Sequence, residues 1–273
     1  MSSTKYDVVI IGGGHNGLVA ATYLARAGKS VRILEANPEI GGASQSVRTF
    51  PEYDANLSRY SYLIALLPDK IVSDLGLSFE CISREVSSYT PYGENKGLYV
   101  SRIWDALTES SFKELDPSGK EAKAWQTFYA EIAEFAEKIA PTMLQPLKSR
   151  SELKQQIDLD ATWQYLIEEP IGKVITERFH NDVVRGVVLT DALIGTFASA
   201  FDIQANICFL YHLIGNGTGE WKVPKGGMGA LVNELVRVAT ESGVEISLNS
   251  KAIKVESTST GVTVELENGE TVT

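Results

Sequence analysis

The chain has 273 residues, of which 44% are hydrophobic and 22% charged, and its formal net charge is −10. This balance is typical of a globular protein and excludes disordered, collagen-like and low-complexity classes. A chain of this length buries a sizeable core without disulfide or metal staples. The negative charge repels phosphate backbones, so we expect no nucleic-acid partner.

The cysteines and histidines give no sign of a disulfide framework or a metal site. Cys81 and Cys208 form no CxxC pair, and the three histidines lack metal-ligand spacing. We therefore expect no metal, and a reducing compartment such as the cytoplasm. No apolar stretch reaches the roughly 18 residues of a membrane span, and no secretory signal opens the chain. Peripheral membrane contact stays open.

The beginning of the chain has the pattern of a βαβ unit. Residues 6–11 are a β-branched run followed by glycines, which predicts a buried strand. A helix is predicted over 16–26, ended by Gly28 as its C′ residue. Residues 30–34 predict a second strand, and a crossover helix between two strands makes them parallel.

The middle of the chain is predicted to be mainly helical, with one hairpin. In chain order, the predicted elements are loop over 40–61, helix over 69–75 ended by Gly76, strands within 79–101 around a turn at 93–97, helices over 103–144 with a break at 116–119, and helices over 159–213. Within this part, apolar residues recur at spacings of three and four, which is the pattern of one buried helix face. The residues of this predicted core face are Trp125, Phe128, Ile132, Phe135 and Ile139.

The last part of the chain mixes one helix with strands. The predicted elements are a helix over 230–242, a strand over 244–248, a half-buried strand marked by Val262, Val264 and Leu266, and a hairpin turn at Asn268-Gly269. The chain stops four residues past this turn. Since so short a return strand offers little to pair with, either the hairpin is frayed or the fold continues in a further C-terminal part, and we expect the latter.

The strongest functional signal is the run Gly12-Gly13-Gly14-His15-Asn16-Gly17, which holds a G-x-G-x-x-G pattern after a strand and at the start of a helix. Gly12 permits the turn, Gly14 lets a diphosphate approach the backbone, and Gly17 lets helix and strand pack closely. The N–H groups and dipole of the helix start hold the diphosphate. Glu35, after the second strand, accepts hydrogen bonds from ribose hydroxyls and repels a 2′-phosphate.

The βαβ unit alone does not distinguish NAD from FAD, but two later glycine segments favour FAD. Gly41 and Gly42 would let a second loop approach the middle of a long dinucleotide. Gly226, Gly227 and Met228 open another helix late in the chain, where the glycines suit close approach to a flat ring. An NAD-dependent dehydrogenase stays the alternative if both segments are plain turns.

These motifs together resemble those of the phytoene desaturase-related FAD oxidoreductases, and within them the group named after pyridine nucleotide-disulphide oxidoreductase domain-containing protein 2. The similar segments are 8–21, 190–195, 211–215 and 226–231. The resemblance implies an α/β fold: a Rossmann-like FAD-binding domain over 1–78 and 216–273, with an inserted, largely helical substrate domain over 79–215. It also implies FAD contacts at Gly12, Gly14, Gly17, Glu35, Gly42 and near Gly227.

Members of the family continue past the end of this chain, so the resemblance implies that a C-terminal part is missing here. It implies a hydrophobic small-molecule substrate, such as a polyisoprenoid, but related groups act on amines and other compounds, and the sequence does not choose between these classes. In eukaryotes the resemblance implies a mitochondrial location. A flavin takes a hydride from a substrate C–H bond without needing a catalytic triad, and the sequence identifies no catalytic residue.

Three polar residues outside the glycine motifs are weaker candidates. Tyr211 and His212 precede the last glycine loop, but a structural histidine is the favoured interpretation; Asp191 is either a functional acid or a cap or ion-pair partner. The main hypothesis is a FAD-dependent oxidoreductase. The alternative is a non-catalytic or split-enzyme subunit that binds FAD, with a separate C-terminal polypeptide or a second copy of the chain as its partner.

Overall fold

The structure is a computed structural model that describes residues 5–259 and 261–273. The chain forms two compact units. The sheet unit comprises the described parts of Met1–Ile64, Pro68–Ile82 and Val223–Thr273, and the helical unit comprises Ala65–Leu67 and Ser83–Lys222. The sequence placed the two changes of domain after residues 78 and 215, whereas the units change after Ile82 and Lys222. The assignment of one unit to FAD and the other to substrate stays a prediction.

The described residues form the following elements. The strands are β1 Val8–Ile11, β2 Val31–Leu34, β3 Ser46–Val47, β4 Leu57–Ser58, β5 Cys81–Ser83, β6 Val86–Gly93, β7 Lys96–Ser101, β8 Lys222–Pro224, β9 Glu245–Ser247, β10 Ala252–Thr258, β11 Gly261–Leu266 and β12 Thr271–Val272. The helices are α1 His15–Arg26, α2 Asp69–Leu75, α3 Ala106–Leu115, α4 Lys120–Ile139, α5 Arg150–Ile157, α6 Asp160–Trp163, α7 Ile171–Arg178, α8 Asp182–Leu193, α9 Ala205–Ile214 and α10 Met228–Glu241.

A three-stranded parallel sheet organises the sheet unit. Its strand order is β1-β2-β9, with Val8 paired to Val31 and Ile33 to Ile246. Every residue of the central strand β2 is buried, which explains its continuous apolar character apart from Arg32. The predicted βαβ unit and the α/β fold class are confirmed. Gly28 follows α1 with φ +82° and ends it as predicted.

A small antiparallel sheet, β10-β11-β12, completes the sheet unit. Val264 and Leu266 are buried and pack with Leu34 and Val272, whereas Val262 is exposed at the start of its strand. The predicted turn is confirmed, since Gly269 has φ +84° and donates its N–H to Leu266 O at 2.9 Å. The alternation of apolar and polar residues therefore predicted the buried positions of β11 correctly, except for Val262 at its exposed end.

The helical unit has its core on one face of the twenty-residue helix α4. Trp125, Phe128, Ile132 and Phe135 are all buried there and Ile139 is half-buried, which confirms the predicted core face. The predicted break between α3 and α4 is also confirmed; Gly119 adopts φ +73° in it. Among the residues that the structure describes, no helix is long and apolar enough to cross a membrane.

Several predicted elements differ from the structure. The first strand begins at Val8 rather than at residue 6, and it is half-buried with Ile11 exposed, where the sequence predicted a buried strand. The loop-rich segment 40–61 contains the short strand pair β3–β4. The predicted helices over 159–213 include a π-helical turn over Gln164–Glu168 and are interrupted between α8 and α9. Helix α10 begins at Met228 rather than at residue 230, because Gly227 is its N-cap.

Candidate functional site

The turn between β1 and α1 exposes the start of a helix. Gly12 has φ +98°, which favours glycine, and its N–H donates to Leu34 O at 2.8 Å. Gly14 is the N-cap of α1; no side chain caps this end, and its first turn has no acidic residue. The N–H groups of the first turn and the positive end of the helix dipole are therefore suited to hold an anion.

The glycines of this turn have different steric surroundings. A Cβ atom added at Gly17 would lie 2.4 Å from Gly12 O and 3.3 Å from Ile10 Cγ2, so helix and strand can approach this closely only without a side chain. A Cβ added at Gly14 would meet only Gly42 Cα, at 3.9 Å. Gly17 thus serves internal packing, while the space beside Gly14 is free of side chains, as the predicted diphosphate contact requires.

Glu35 ties the turn to the end of β2. Its side chain is 6% exposed. Oε2 accepts the N–H of Gly13 at 2.7 Å, and Oε1 accepts the backbone N–H of Asn37 at 2.9 Å and its side-chain amide at 2.8 Å. A carboxylate has about four acceptor positions, so one remains free here, whereas the sequence predicted hydrogen bonds from both ribose hydroxyls. Asn37, which sequence reasoning missed, orients this acid.

The second glycine segment lies directly against the first. Gly41 donates its N–H to Gly13 O at 2.9 Å, and a Cβ added at Gly42 would lie 3.0 Å from Gly14 Cα. His15 places its ring Nδ1 3.3 Å from Ser44 Oγ. The two loops therefore form one continuous wall of glycine backbone.

The third glycine segment, residues 226–229, contacts the same glycine wall, and Ser46 makes the connecting hydrogen bond. Gly229 donates its N–H to Ser46 Oγ at 2.9 Å, and a Cβ added at Gly41 would lie 3.0 Å from the methyl groups of Val232 in α10. The serine is the contact that the glycine spacing alone did not reveal. Segments far apart in sequence thus meet within the sheet unit.

The remaining predicted site residues differ in exposure. Gly226 and Asn16 are exposed, Gly227 has φ +75°, and Met228 is 4% exposed, so its side chain packs in the interior. The structure brings the predicted glycines together with Glu35, and their role in cofactor binding stays a prediction. Within the described residues there is no cluster of three or more histidine, cysteine or acidic side chains that could hold a metal.

Comparison with known proteins places this site in a family context. Residues 17–273 match the family model of flavin-containing amine oxidoreductases. An uncharacterized protein of Mycobacterium tuberculosis is 42% identical over 88% of the chain and 47% of its own length. The mouse pyridine nucleotide-disulfide oxidoreductase domain-containing protein 2 is 32% identical over 98% of the chain and 52% of its own length.

Two more distant matches extend this pattern. Carotenoid 3,4-desaturase of Haloarcula japonica is 25% identical over 97% of the chain and 53% of its own length. The solved structure of cyclohexylamine oxidase from Brevibacterium oxydans has the same fold, with a TM-score of 0.59 and 19% identity over 96% of the chain and 55% of that protein. The chain spans about half the length of the curated relatives it matches.

The family model covers nearly the whole chain, from Gly17 onward, and includes Glu35 and both later glycine segments; Gly12 to Asn16 precede the matched residues. The prediction of FAD as the cofactor and of a flavin oxidoreductase, rather than an NAD-dependent dehydrogenase, is confirmed at the level of the family. The chain belongs to the flavin-containing amine oxidoreductase family.

Proposed function

We propose that the sheet unit binds FAD along the glycine wall and that the helical unit holds an apolar substrate with an oxidisable C–H bond. The observation that carries this proposal is the meeting of Gly14, Gly42 and the start of α10 in one unit, next to an uncapped helix start. A single glycine turn would serve any dinucleotide, whereas a wall of three segments suits the longer FAD.

Each group has a separate task in this proposal. The first-turn amides of α1 hold the diphosphate, and Gly14 and Gly42 keep its path free of side chains. Glu35 accepts a hydrogen bond from the adenosine ribose. The start of α10 contributes backbone near the other end of the cofactor. When bound, FAD supplies the electron chemistry by accepting a hydride from the substrate.

The substrate class is proposed from two kinds of support. The desaturase relative of Haloarcula japonica acts, by its name, on carotenoids, which are apolar chains. The helical unit also exposes large apolar side chains, among them Ile103, Leu107, Leu147, Phe197 and Phe201. Amines are the competing class, because the family is named after them.

The visible spectrum of the purified chain tests this proposal. We expect a yellow protein that loses its colour on reduction, or a colourless one that becomes yellow with added FAD. A folded protein that takes up no FAD would refute it. If FAD binds, anaerobic addition of a carotenoid and of a primary amine, each in detergent, shows which class bleaches the flavin. A protein that binds FAD but is bleached by neither would support the non-catalytic alternative.

A further inference from the structure

A groove of about 390 Å³ in the helical unit is lined by one face of α4 and by the last residue of α7. In α4, Lys120, Lys123, Thr127 and Glu131 follow one another at spacings of three and four residues, which places them in a row along the helix. The residues that line this α4–α7 groove are Lys120, Lys123, Ala124, Thr127, Glu131 and Arg178. Two lysines therefore lie at one end of the row and a carboxylate at the other.

The lysine end of the groove carries positive charge without a nearby acid. Lys120 and Lys123 are exposed, and neither forms an ion pair with a residue that the structure describes. By contrast, Lys138, Lys154 and Lys173 of the same unit each pair with an acid. Like charges one helical turn apart repel each other and cost the helix stability. An anion bound between the two ammonium groups would remove this cost.

The other end of the groove holds an ion pair in a fixed position. Arg178 donates from Nη1 to Glu131 Oε2 at 2.6 Å, and the Tyr165 hydroxyl donates to the same oxygen at 2.7 Å. The guanidinium carbon of Arg178 lies 4.3 Å from the ring centroid of Tyr165 and 5.3 Å from that of Phe128. The guanidinium is therefore restrained before any ligand arrives, which lowers the entropic cost of binding.

This ion pair keeps hydrogen-bonding capacity for a ligand. Within the described part of the chain, Nε and Nη2 of Arg178 have no acceptor and Oε1 of Glu131 has no donor. The side chain of Arg178 is 30% exposed and that of Glu131 is 35% exposed, so a molecule in the groove can reach both. The pair has no net charge and offers donors beside an acceptor, which is the combination that a hydroxyl group needs.

We propose that the α4–α7 groove binds a phosphorylated polyol. Its phosphate lies between the ammonium groups of Lys120 and Lys123, and its hydroxyls exchange hydrogen bonds with Arg178 and Glu131. A phosphate monoester carries about −1.5 to −2 charges at neutral pH, so it matches two lysines better than a carboxylate does, whereas a cationic group would be repelled. This binding goes beyond the proposed function and does not depend on it.

Titration of the full chain with four six-carbon sugars at pH 7, without added FAD, tests the proposal. The probes are glucose 6-phosphate, glucuronate, glucose and glucosamine, and binding is followed by the amide NMR signals of Lys123 and Thr127. We expect glucose 6-phosphate to bind at least about ten-fold more tightly than the other three. Any of these three binding as tightly as glucose 6-phosphate would overturn the proposal.

The position of the NMR response matters, because a phosphate also suits the uncapped start of α1. Gly14→Val fills the space beside that helix start and should leave the affinity measured at Thr127 unchanged. Shifts confined to Gly14 and His15 in the unaltered chain would show that the phosphate binds there and not in the groove, and would overturn the proposal.

A double variant, Lys120→Gln with Lys123→Gln, locates the phosphate. It should weaken glucose 6-phosphate binding by at least about ten-fold, because both cations are lost. Lys113→Gln is the matched control, since Lys113 is an exposed lysine outside the groove that has no ion pair among the described residues. Unchanged affinity in the double variant would overturn the proposal. The ranking of probes on the unaltered chain decides the matter if the double variant does not fold.

Hexyl phosphate tests the hydroxyl end of the groove, because it keeps the phosphate and lacks the sugar hydroxyls. We expect it to bind at least about five-fold more weakly than glucose 6-phosphate, through lost hydrogen bonds to Arg178 and Glu131. Equal or tighter binding of hexyl phosphate would overturn the assignment of a polyol.

Phosphatidylcholine vesicles with and without phosphatidylinositol 4-phosphate distinguish the two sources of such a group. Sedimentation of the chain only with the phosphoinositide vesicles, reversed by glucose 6-phosphate, would support the proposal with a lipid headgroup as the ligand. Tight binding of glucose 6-phosphate without sedimentation would support it with a soluble ligand.

The visible spectrum of the same sample with added FAD separates this inference from the proposed function. A chain that binds FAD but not glucose 6-phosphate overturns the polyol site alone. A chain that binds glucose 6-phosphate in the groove but not FAD overturns the proposed cofactor site alone.

Discussion

The two units differ in whether backbone or side chains carry their distinctive polar groups. In the sheet unit the site is backbone: glycines at Gly14 and Gly42, an uncapped helix start, and one acid, Glu35. In the helical unit the unusual groups are side chains: Arg84 Nε is buried without an acceptor among the described residues, and burial raises the pKa of the Asp191 carboxyl. A site built from glycine backbone is disturbed when a substitution adds a side chain, whereas a buried ionisable side chain is disturbed when its charge changes. This difference determines which substitutions should separate folding from binding.

The largest loss of stability is expected where an added side chain would collide with the main chain, at Gly17. Gly17→Ala would place Cβ 2.4 Å from Gly12 O, so α1 must shift from β1. We expect the free energy of unfolding to fall by about 3 kcal/mol, measured by denaturant titration. Gly186→Ala is the matched control, since its Cβ meets nothing within 4 Å and alanine favours helix. An equal loss in both variants would contradict the packing role of Gly17.

Gly14→Val, in the same turn, should instead affect the ligand. Its φ of −72° suits any residue, and its Cβ would meet Gly42 Cα only at the van der Waals distance of 3.9 Å, so the fold should persist. We expect FAD affinity to fall by about a hundred-fold, or roughly 3 kcal/mol, because the side chain fills the diphosphate path. Isothermal titration with FAD measures it. Full affinity in a folded Gly14→Val protein would mean that the diphosphate lies elsewhere.

Glu35→Ala combines both kinds of effect. Loss of charged hydrogen bonds should weaken FAD binding by roughly 1.5–3 kcal/mol, about ten- to a hundred-fold. The Gly13 N–H also loses its acceptor, so the melting temperature should fall as well. Glu35→Gln keeps an acceptor for Gly13 and should recover most of the stability. Unchanged FAD affinity in the alanine variant would place the ribose elsewhere.

The carboxyl of Asp191 in the helical unit should make the folded chain less stable as the pH rises. Burial raises the pKa of Asp191 to about 6 in the folded chain, against 3.8 for the ordinary group; His212 and Arg84 oppose this shift. The folded state therefore binds more protons between these values, and stability is lost as pH rises from about 4 to about 6. Nearby Tyr129 and Cys208 both have a raised pKa and stay neutral in this window.

Asp191→Asn removes that loss. We expect the variant to be more stable than the original chain by roughly 2 kcal/mol at pH 8, with no difference below pH 4. Thermal unfolding at the two pH values measures it. A destabilised variant at pH 8 would mean that the carboxylate is a structural partner. A stabilised one would show that burying this charge costs the folded chain stability.

The glycine wall was largely readable from the sequence because its chemistry is local. The turn at Gly12–Gly17 and the acid at Glu35 follow from spacing within one βαβ unit, and the structure brings them together as expected. That Ser46 connects the late glycines was not readable, since the contact joins residues 183 positions apart in the chain. The start of α10 was placed two residues late, because Gly227 acts as its N-cap.

The helical unit shows the limit of such reasoning. The core face of α4 followed from its period, but the contact between His212 and Asp191 depends on how α9 packs against α8. Sequence reasoning favoured a structural His212, and its bond to Asp191 O fits that in part. The unmet Arg84 Nε had no signal in the sequence, because an arginine alone does not reveal its surroundings.

The bond between Glu35 and Gly13 bears on attempts to redesign the nucleotide preference of this chain. Replacing the acid by a small or basic residue, the usual route toward a phosphorylated ribose, would also release the loop that Glu35 and Asn37 hold in shape. Engineered variants at this position would need a compensating acceptor for the Gly13 amide, supplied by a neighbouring side chain. Libraries that vary residues 35 and 37 together should therefore yield more folded proteins than those that vary residue 35 alone.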